Sequence, residues 1–175
     1  MKNIHIFVDG PDGAGKTTLI KGLAKYYKLP CIKQPRAKTA FKNDTIEIES
    51  QVYNMTLAQF SKFSFIVDRS FVSSLVYSSV YNRTYNFSYM SSFIKKIKPI
   101  IIFLTGSNKV ISKRKNKDSV IKNTEREKIL SKYNEHFDDL TKDENLTILK
   151  INTDKLTKKQ VLNSAIKLID KTICL

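Results

Sequence analysis

The chain has 175 residues, of which 31 are lysine or arginine and 16 are aspartate or glutamate, so its formal net charge is +15. This length suits one domain over residues 1–175, and such a domain buries about 70% of its unfolded surface, so it needs neither disulfides nor a structural metal. Two cysteines, Cys31 and Cys174, without a C-x-x-C spacing exclude a disulfide scaffold. The first apolar stretch ends at Asp9, too early for a signal peptide, and the run PIIIFL is too short to span a bilayer, so we expect a soluble, cytoplasmic protein without a membrane partner.

The positive charge has two interpretations. One is an anionic ligand such as a nucleotide, a nucleic acid or a membrane surface. The other is that most of the lysines reflect an AT-rich coding sequence and keep the chain soluble. Arginine is scarce here and therefore indicates sites that need a planar, bidentate cation. The arginines are Arg36, Arg69, Arg83, Arg114 and Arg126.

Apolar and amphipathic segments alternate along the chain. Short apolar runs predict buried strands over 3–9, 30–33, 63–68, 99–105 and 145–152. Apolar residues at helical spacing predict helices over 15–28, 44–62, 69–81, 87–98 and 157–171. Residues 107–132 carry nine Lys/Arg against three Asp/Glu, which indicates a basic helix pair or flap. Strands that alternate with helices predict the α/β class, with a five-stranded parallel sheet flanked by helices.

A phosphate-binding motif follows the first predicted strand. Residues 10–17, GPDGAGKT, fit G-x-x-x-x-G-K-[ST]. Glycines let successive N–H groups turn toward one anion, and the helix that begins near Lys16 adds its positive end. Lys16 supplies a point charge for the β- and γ-phosphates, and the Thr17 hydroxyl can bind Mg²⁺. The motif predicts a nucleoside triphosphate ligand.

A second polar group follows the third predicted strand. Asp68 ends that strand, at the edge where a parallel sheet binds its ligand, and a carboxylate there can hold Mg²⁺ directly or through water. Arg69 comes next, and hydroxyl groups follow at Ser70, Ser73, Ser74 and Tyr77. The alternative is that Asp68 and Ser70 only cap the next helix, but the nearby phosphate motif favours a site.

The two motifs together resemble a known family. DGPDGAGKTT (9–18) and DRSFVSSLVY (68–77) are similar to the EGxDGxGKTT and DRYxxSSLAYQ of thymidylate kinases and their deoxynucleoside kinase relatives. Looser similarity extends to KQPR (33–36) and to residues 112–137. The resemblance implies a three-layer P-loop kinase fold with a basic lid at about 107–132, ATP and Mg²⁺ as cofactors, a small-molecule nucleotide substrate and a homodimer. A viral or phage member of this family is our hypothesis for its source.

The resemblance also implies roles for single residues. The ATP phosphates would be bound by Gly10, Asp12, Gly13, Ala14, Gly15, Lys16, Thr17 and Thr18. Asp9 would lie at the phosphate-transfer site, Asp68 and Thr17 would hold Mg²⁺, and Arg69 and Arg36 would bind the acceptor phosphate. The implied nucleoside pocket is lined by Ser73, Ser74 and Tyr77. Phe60 is a further candidate that could stack on the base, although its spacing equally suits packing in the core.

The lid would contribute Arg114, which closes over ATP. The catalytic set implied by the resemblance is Asp9, Lys16, Asp68, Arg69 and Arg114.

The departures from the family pattern lie around the base: Ser70 replaces the family's tyrosine, Ser78 replaces a glutamine, and the segment IESQVYNMTLAQF has no arginine. The acceptor base is therefore thymine by default rather than by deduction.

Three acceptors stay open. A deoxynucleoside monophosphate, dTMP or a related pyrimidine nucleotide, attacks with an oxygen that is already anionic and needs positive charge rather than a base. A deoxynucleoside attacks with its 5′-hydroxyl and benefits from a carboxylate. Where deoxynucleoside kinases have a glutamate, this chain has Gln34 beside Arg36, which favours the monophosphate, although Asp9 and Asp68 remain alternatives as a base. DNA, or a modified base in DNA, is not favoured, because no nucleic-acid-binding motif appears.

Overall fold

The structure is a computed structural model that describes residues 3–33, 62–82, 93–94, 96–114, 123–144 and 146–173. The predicted helix over 44–62 lies almost wholly outside these residues, as does much of the one over 87–98. The strands are β1 (His5–Asp9), β2 (Cys31–Lys33), β3 (Phe65–Asp68), β4 (Ile100–Thr105) and β5 (Thr147–Asn152). The helices are α1 (Lys16–Tyr27), α2 (Phe71–Val80), α3 (Asn108–Lys113), α4 (Asn123–Leu140) and α5 (Lys158–Ile173).

The strands form one parallel sheet in the order β2-β3-β1-β4-β5. The predicted α/β class and five-stranded parallel sheet are confirmed. Because β1 lies between β3 and β4, the residues that follow these three strands meet at one edge of the sheet. Both polar motifs of the sequence come together there.

The three central strands are buried along their whole length, which explains why they are continuous apolar runs instead of alternating ones. Successive side chains point to opposite faces. Phe7, Val67 and Phe103 pack against α2 and α4, whereas Ile6, Ile66 and Ile102 pack against α1 and α5. The sheet is thus the middle of three layers.

Within residues 107–114 and 123–132, the parts of the basic region that the structure describes, α3 and the start of α4 are helical as predicted, and α4 contributes to the core. α3 is short, and α4 packs on α2. Ile129 is 2% exposed and joins the apolar cluster between α4 and the sheet. The lid at about 107–132 stays a prediction. Among the described residues, no helix is long and apolar enough to cross a membrane.

Candidate active site

The phosphate loop connects β1 to α1 and packs tightly against β4 and α3. Gly10 has a φ of 140°, and a Cβ atom there would lie 2.2 Å from the carbonyl oxygen of Leu104. Gly13 has a φ of 89°, and its Cβ would lie 2.6 Å from the carbonyl oxygen of Ile111. Only glycine fits both positions, so the loop's shape depends on the neighbouring strand and helix as well as on the motif.

Lys16 is the first residue of α1 and is 7% exposed. Its ammonium group donates to the carbonyl oxygens of Gly10 (2.7 Å) and Pro11 (2.9 Å). Burial, reinforced by the charge of Arg69, lowers the pKa of Lys16 from 10.5 to about 8, although the nearby carboxylates of Asp12, Asp9 and Asp68 act in the opposite direction. The ammonium group therefore lies on the inner side of the loop, where the motif predicts the β- and γ-phosphates.

The carboxylate of Asp12 lies between two cations. It forms an ion pair with the guanidinium of Arg69 and lies 3.6 Å from Nζ of Lys16. Burial would raise the pKa of Asp12, but the charges of Arg69 and Lys16 outweigh this effect and lower the pKa. The lysine of the phosphate loop and the arginine of the second motif thus face one shared anionic group.

Asp9 is fully buried at the end of β1. Its carboxylate accepts hydrogen bonds from the backbone N–H groups of Gly10 (2.8 Å), Ser70 (2.9 Å) and Ser73 (3.1 Å), and from the hydroxyls of Ser70 (2.6 Å) and Ser73 (2.7 Å). Two of the backbone donors belong to the N-terminal end of α2, where an anion is stabilised. These bonds join the phosphate loop to α2. They also occupy the lone pairs with which the Asp9 carboxylate would have to accept a proton as a base.

Arg69 directly follows β3 and has a φ of 72°, which residues other than glycine rarely adopt. Its N–H donates to the carbonyl oxygen of Val8 (3.1 Å) on the neighbouring strand, and its guanidinium lies 5.7 Å from the ring centroid of Tyr77. Nη1 donates to Oγ of Ser73 (3.3 Å) and to the hydroxyl of Tyr133 (3.4 Å). Burial would lower the pKa of Arg69, but Tyr77, Tyr133 and Asp12 raise it well above its usual value.

Tyr133 was not singled out from the sequence. It lies on α4 at helical spacing from Ile129 and Phe137, which predicts a core residue, and its ring is indeed fully buried. The pattern cannot show that its hydroxyl reaches the polar edge of the sheet.

Arg126 also lies on α4 and lines a small cleft beside Pro11 and Asp12 of the phosphate loop.

The predicted Mg²⁺ ligands lie on the two motifs that meet at this edge. Asp68 ends β3 and is 8% exposed, and Thr17 is an exposed residue in the first turn of α1. No group of three or more His, Cys, Asp or Glu side chains that could hold a metal exists among the described residues. Mg²⁺ fits such a sparse set of hard oxygen donors, because it is commonly bound by one or two protein oxygens together with substrate phosphates.

The predicted nucleoside-binding residues on α2 differ in their surroundings. Ser73 is 3% exposed and is engaged by Asp9 and Tyr133, whereas Ser74 and Tyr77 are half-buried. The Tyr77 ring stacks on Tyr81 with their centroids 6.3 Å apart. The other two predicted substrate-binding residues, Arg36 and Phe60, lie outside the described part of the chain.

Arg114 follows α3 and binds the loop after β5. Its guanidinium donates to Oγ1 of Thr153 (2.9 Å) and to the carbonyl oxygen of the same residue (2.8 Å). Thr153 in turn donates through its N–H and its hydroxyl to the carbonyl oxygen of Thr105 at the end of β4. Arg114 is therefore held where β4 and β5 end, on the opposite side of β1 from Arg69.

The sequence matches no family model and no curated protein, but the structure is similar to several solved structures, two of the three given below being kinases. The YorR protein of Bacillus subtilis, solved in complex with phosphorylated GDP, has a TM-score of 0.77 at 22% identity, with 98% of each chain covered. Thymidylate kinase from Candida albicans has a TM-score of 0.72 at 19% identity, covering 98% of this chain and 92% of that one. Deoxyadenosine kinase from M. mycoides, with dCMP and dCDP bound, has a TM-score of 0.69 at 16% identity, covering 97% and 100%. The fold is therefore that of the thymidylate and deoxynucleoside kinases.

Proposed function

We propose that this protein transfers the γ-phosphoryl group of ATP to a deoxynucleoside monophosphate, dTMP or a related pyrimidine nucleotide, and so forms the diphosphate. The observation that carries the proposal is the pair of cations on either side of Asp12. Lys16 reaches into the phosphate loop, and Arg69 faces it from the end of β3. An acceptor phosphate must approach an anionic donor, so the site must offset the repulsion between them.

The residues divide this work between donor and acceptor. The loop from Gly10 to Thr18 would bind the donor phosphates, with Lys16 stabilising charge on the group in transfer. Arg69 would bind the acceptor phosphate and orient its oxygen for in-line attack, which breaks the bond between the γ-phosphorus and the β–γ bridging oxygen. Asp68 and Thr17 would hold Mg²⁺, which supplies further positive charge when bound. Asp9 would position the loop and α2, because its carboxylate is already saturated by donors.

A deoxynucleoside is the second candidate acceptor. Asp68 is buried at the end of β3, and its charge raises the pKa of Lys16, which shows that it lies near the phosphate loop. In this alternative, the Asp68 carboxylate accepts the proton of the 5′-hydroxyl. Deoxyadenosine kinase from M. mycoides shows the same fold, which supports keeping this alternative. The cytoplasmic location stays a prediction. The homodimer also stays a prediction, which a sedimentation measurement tests, and a DNA acceptor stays an alternative, which the transfer assay tests.

The test is a transfer assay with ATP and Mg²⁺ against nucleosides, 5′-monophosphates and short DNA. Arg69→Ala should reduce kcat/KM for the preferred monophosphate roughly tenfold to a hundredfold, because a charge-assisted bidentate contact is lost. Arg69→Lys should recover only part of the loss, since a point charge lacks the fork. Lys142→Ala, which removes an exposed lysine from the turn after α4, is the matched control. Better transfer to plain nucleosides than to monophosphates by the unmodified protein would reject the proposal in favour of the second candidate.

A further inference from the structure

The hydroxyl of Tyr133 connects the apolar core to Arg69. The ring is fully buried and stacks with Phe103 and Phe137, with centroids 6.1 and 6.5 Å away. The oxygen lies 2.8 Å from Oγ of Ser73 and 3.4 Å from Nη1 of Arg69. A phenylalanine ring would fill the same space without polar partners, whereas the buried hydroxyl of a tyrosine would be costly without them.

The directions of these hydrogen bonds follow from the number of protons available. Ser73 has one hydroxyl proton, and Oδ1 of Asp9 at 2.7 Å is an acceptor only, so the proton of Ser73 lies toward Asp9. The proton between Ser73 and Tyr133 must then belong to Tyr133. A guanidinium nitrogen can only donate, so Nη1 of Arg69 donates a hydrogen bond to a free lone pair of the phenol oxygen. Burial raises the pKa of Tyr133 well above its usual value, so the phenol keeps its proton.

This order gives one continuous chain of donors from Arg69 through Tyr133 and Ser73 to Asp9. Its end is fixed, because the backbone of α2 and the phosphate loop hold the Asp9 carboxylate. Its middle is fixed too, because Tyr133 is packed between aromatic rings. The guanidinium of Arg69 has two further partners: Oγ of Ser73, at 3.3 Å, belongs to the same network, whereas Asp12 is 46% exposed on the loop. The rigid contacts of the guanidinium are thus those that come from α2 and α4.

We propose that Tyr133 is a positioning residue that orients the Arg69 guanidinium for the acceptor phosphate. The inference rests on the proposed role of Arg69 in acceptor binding. Tyr133 does not itself touch a reacting atom. Its hydroxyl fixes one edge of the guanidinium, so that less ordering of the arginine is needed when the acceptor phosphate binds.

Tyr133→Phe tests this in the full chain, because it keeps the ring and removes only the hydroxyl. We expect kcat/KM for dTMP to fall about fivefold to thirtyfold, less than in Arg69→Ala because the guanidinium stays and only its orientation is lost, with KM for ATP nearly unchanged. Phe137→Leu is the control, since it disturbs the same aromatic cluster one turn further along α4 without touching a polar group. Wild-type acceptor kinetics in Tyr133→Phe, or an equal loss in Phe137→Leu, would overturn the inference.

The Arg69→Ala background separates a positioning role from a general structural one. If Tyr133 acts through Arg69, then Tyr133→Phe should cause no further loss of transfer once Arg69 is alanine. An equal loss in both backgrounds would contradict the inference while leaving the proposed function intact.

A second measurement does not depend on the substrate. The protein is labelled with ¹⁵N-arginine for NMR. The Nη signals of Arg69 are those that disappear in Arg69→Lys, and we expect them to show slow rotation of the guanidinium. In Tyr133→Phe that rotation should become faster. Unchanged rotation would overturn the positioning role whatever the acceptor proves to be, and faster rotation would support it even if dTMP is not phosphorylated.

Discussion

The carboxylate of Asp12 pairs with the guanidinium of Arg69, which joins the phosphate loop after β1 to the residue that follows β3. The same carboxylate lies 3.6 Å from the ammonium group of Lys16. An anionic side chain thus occupies the space between the two cations that we assign to the donor and the acceptor phosphates. A phosphate oxygen that binds either cation must compete with Asp12.

This competition predicts that Asp12→Asn strengthens the binding of ATP measured without an acceptor. The gain should be up to about fivefold, because a partly exposed ion pair contributes at most about 1 kcal/mol. Asparagine keeps the size of the side chain and removes its charge. Calorimetric titration with ATP and Mg²⁺ measures the effect, and Asp139→Asn, which removes an exposed carboxylate paired with Lys142 on the far side of α4, is the control. Equal or weaker binding by Asp12→Asn would contradict the competition.

The lowered pKa of Lys16 predicts how activity depends on pH. In the protein without nucleotide, this pKa is about 8, so kcat/KM for ATP should fall as the pH rises above about 8 and the ammonium group loses its charge. Lys16→Ala should reduce kcat on the order of a thousandfold or more, because the lost charge acts on the group in transfer. A pH profile of the initial rate, from pH 6 to 10, gives the answer. A flat profile would show that Lys16 keeps its charge or that its charge is not needed.

The same shift has a consequence for stability, with a definite sign. Below pH 8 Lys16 is charged in both the folded and the unfolded chain, and burial of that charge opposes folding. Between about 8 and 10.5 the folded form has lost the proton while the unfolded form still holds it, so the contribution of Lys16 to folding becomes more favourable as the pH rises. The stability of the wild type relative to Lys16→Met should therefore increase across this window. Urea unfolding at pH 7 and pH 10 measures it, and a constant difference would contradict the lowered pKa.

Much of the fold could be predicted because its signals are local. Continuous apolar runs indicate strands buried on both faces, and the phosphate motif lies where a strand meets a helix. The boundaries were less accurate: the third strand was predicted from Phe63, but β3 begins at Phe65, and Phe63 is 63% exposed. The basic composition of residues 107–132 likewise gave no sign that Ile129 packs in the core. Charge density along the chain cannot show which side of a helix is buried.

The site shows a similar limit. Sequence reasoning placed Asp9, Lys16 and Arg69 at one edge, and the structure brings them together there. It could not show how Asp9 is used, because four of its five donors belong to Ser70 and Ser73, which follow β3 and lie about sixty residues away in the chain. The hydroxyl of Tyr133 was hidden for the same reason. Local patterns identify which residues can do chemistry, and tertiary contacts decide which of them position the others.

The network around Asp9 predicts a structural effect that the other site residues should not show. Asp9→Asn keeps the volume but leaves one oxygen to accept from five donors, and its amide group must face N–H groups that cannot accept. We expect the free energy of unfolding to fall by about 2–4 kcal/mol, since several buried donors lose their partner. Urea unfolding measures the loss.

Asp68→Asn is the comparison for Asp9→Asn. It changes a carboxylate at the same edge of the sheet, and in our assignment it should affect transfer in the presence of Mg²⁺ more than stability. If Asp9→Asn retained wild-type stability and lost only activity, a direct chemical role for Asp9 would be favoured over positioning.

Arg114 predicts a selective effect on the donor. Its guanidinium makes two hydrogen bonds to Thr153, 2.9 and 2.8 Å long, at the end of the sheet away from Arg69. If it lies beside bound ATP as the family resemblance implies, Arg114→Ala should raise KM for ATP roughly tenfold, with KM for the acceptor little changed. Arg114→Lys should restore only part of the affinity. A guanidinium can bond to both oxygens of Thr153 and still offer donors to ATP, whereas an ammonium group is a compact point charge without this planar fork. Thr153→Val is the matched variant: it removes one of the two bonds and should cause a smaller rise in the same constant. Steady-state kinetics with each substrate varied in turn separate the two constants, and a rise in the acceptor KM alone would place Arg114 with the acceptor instead.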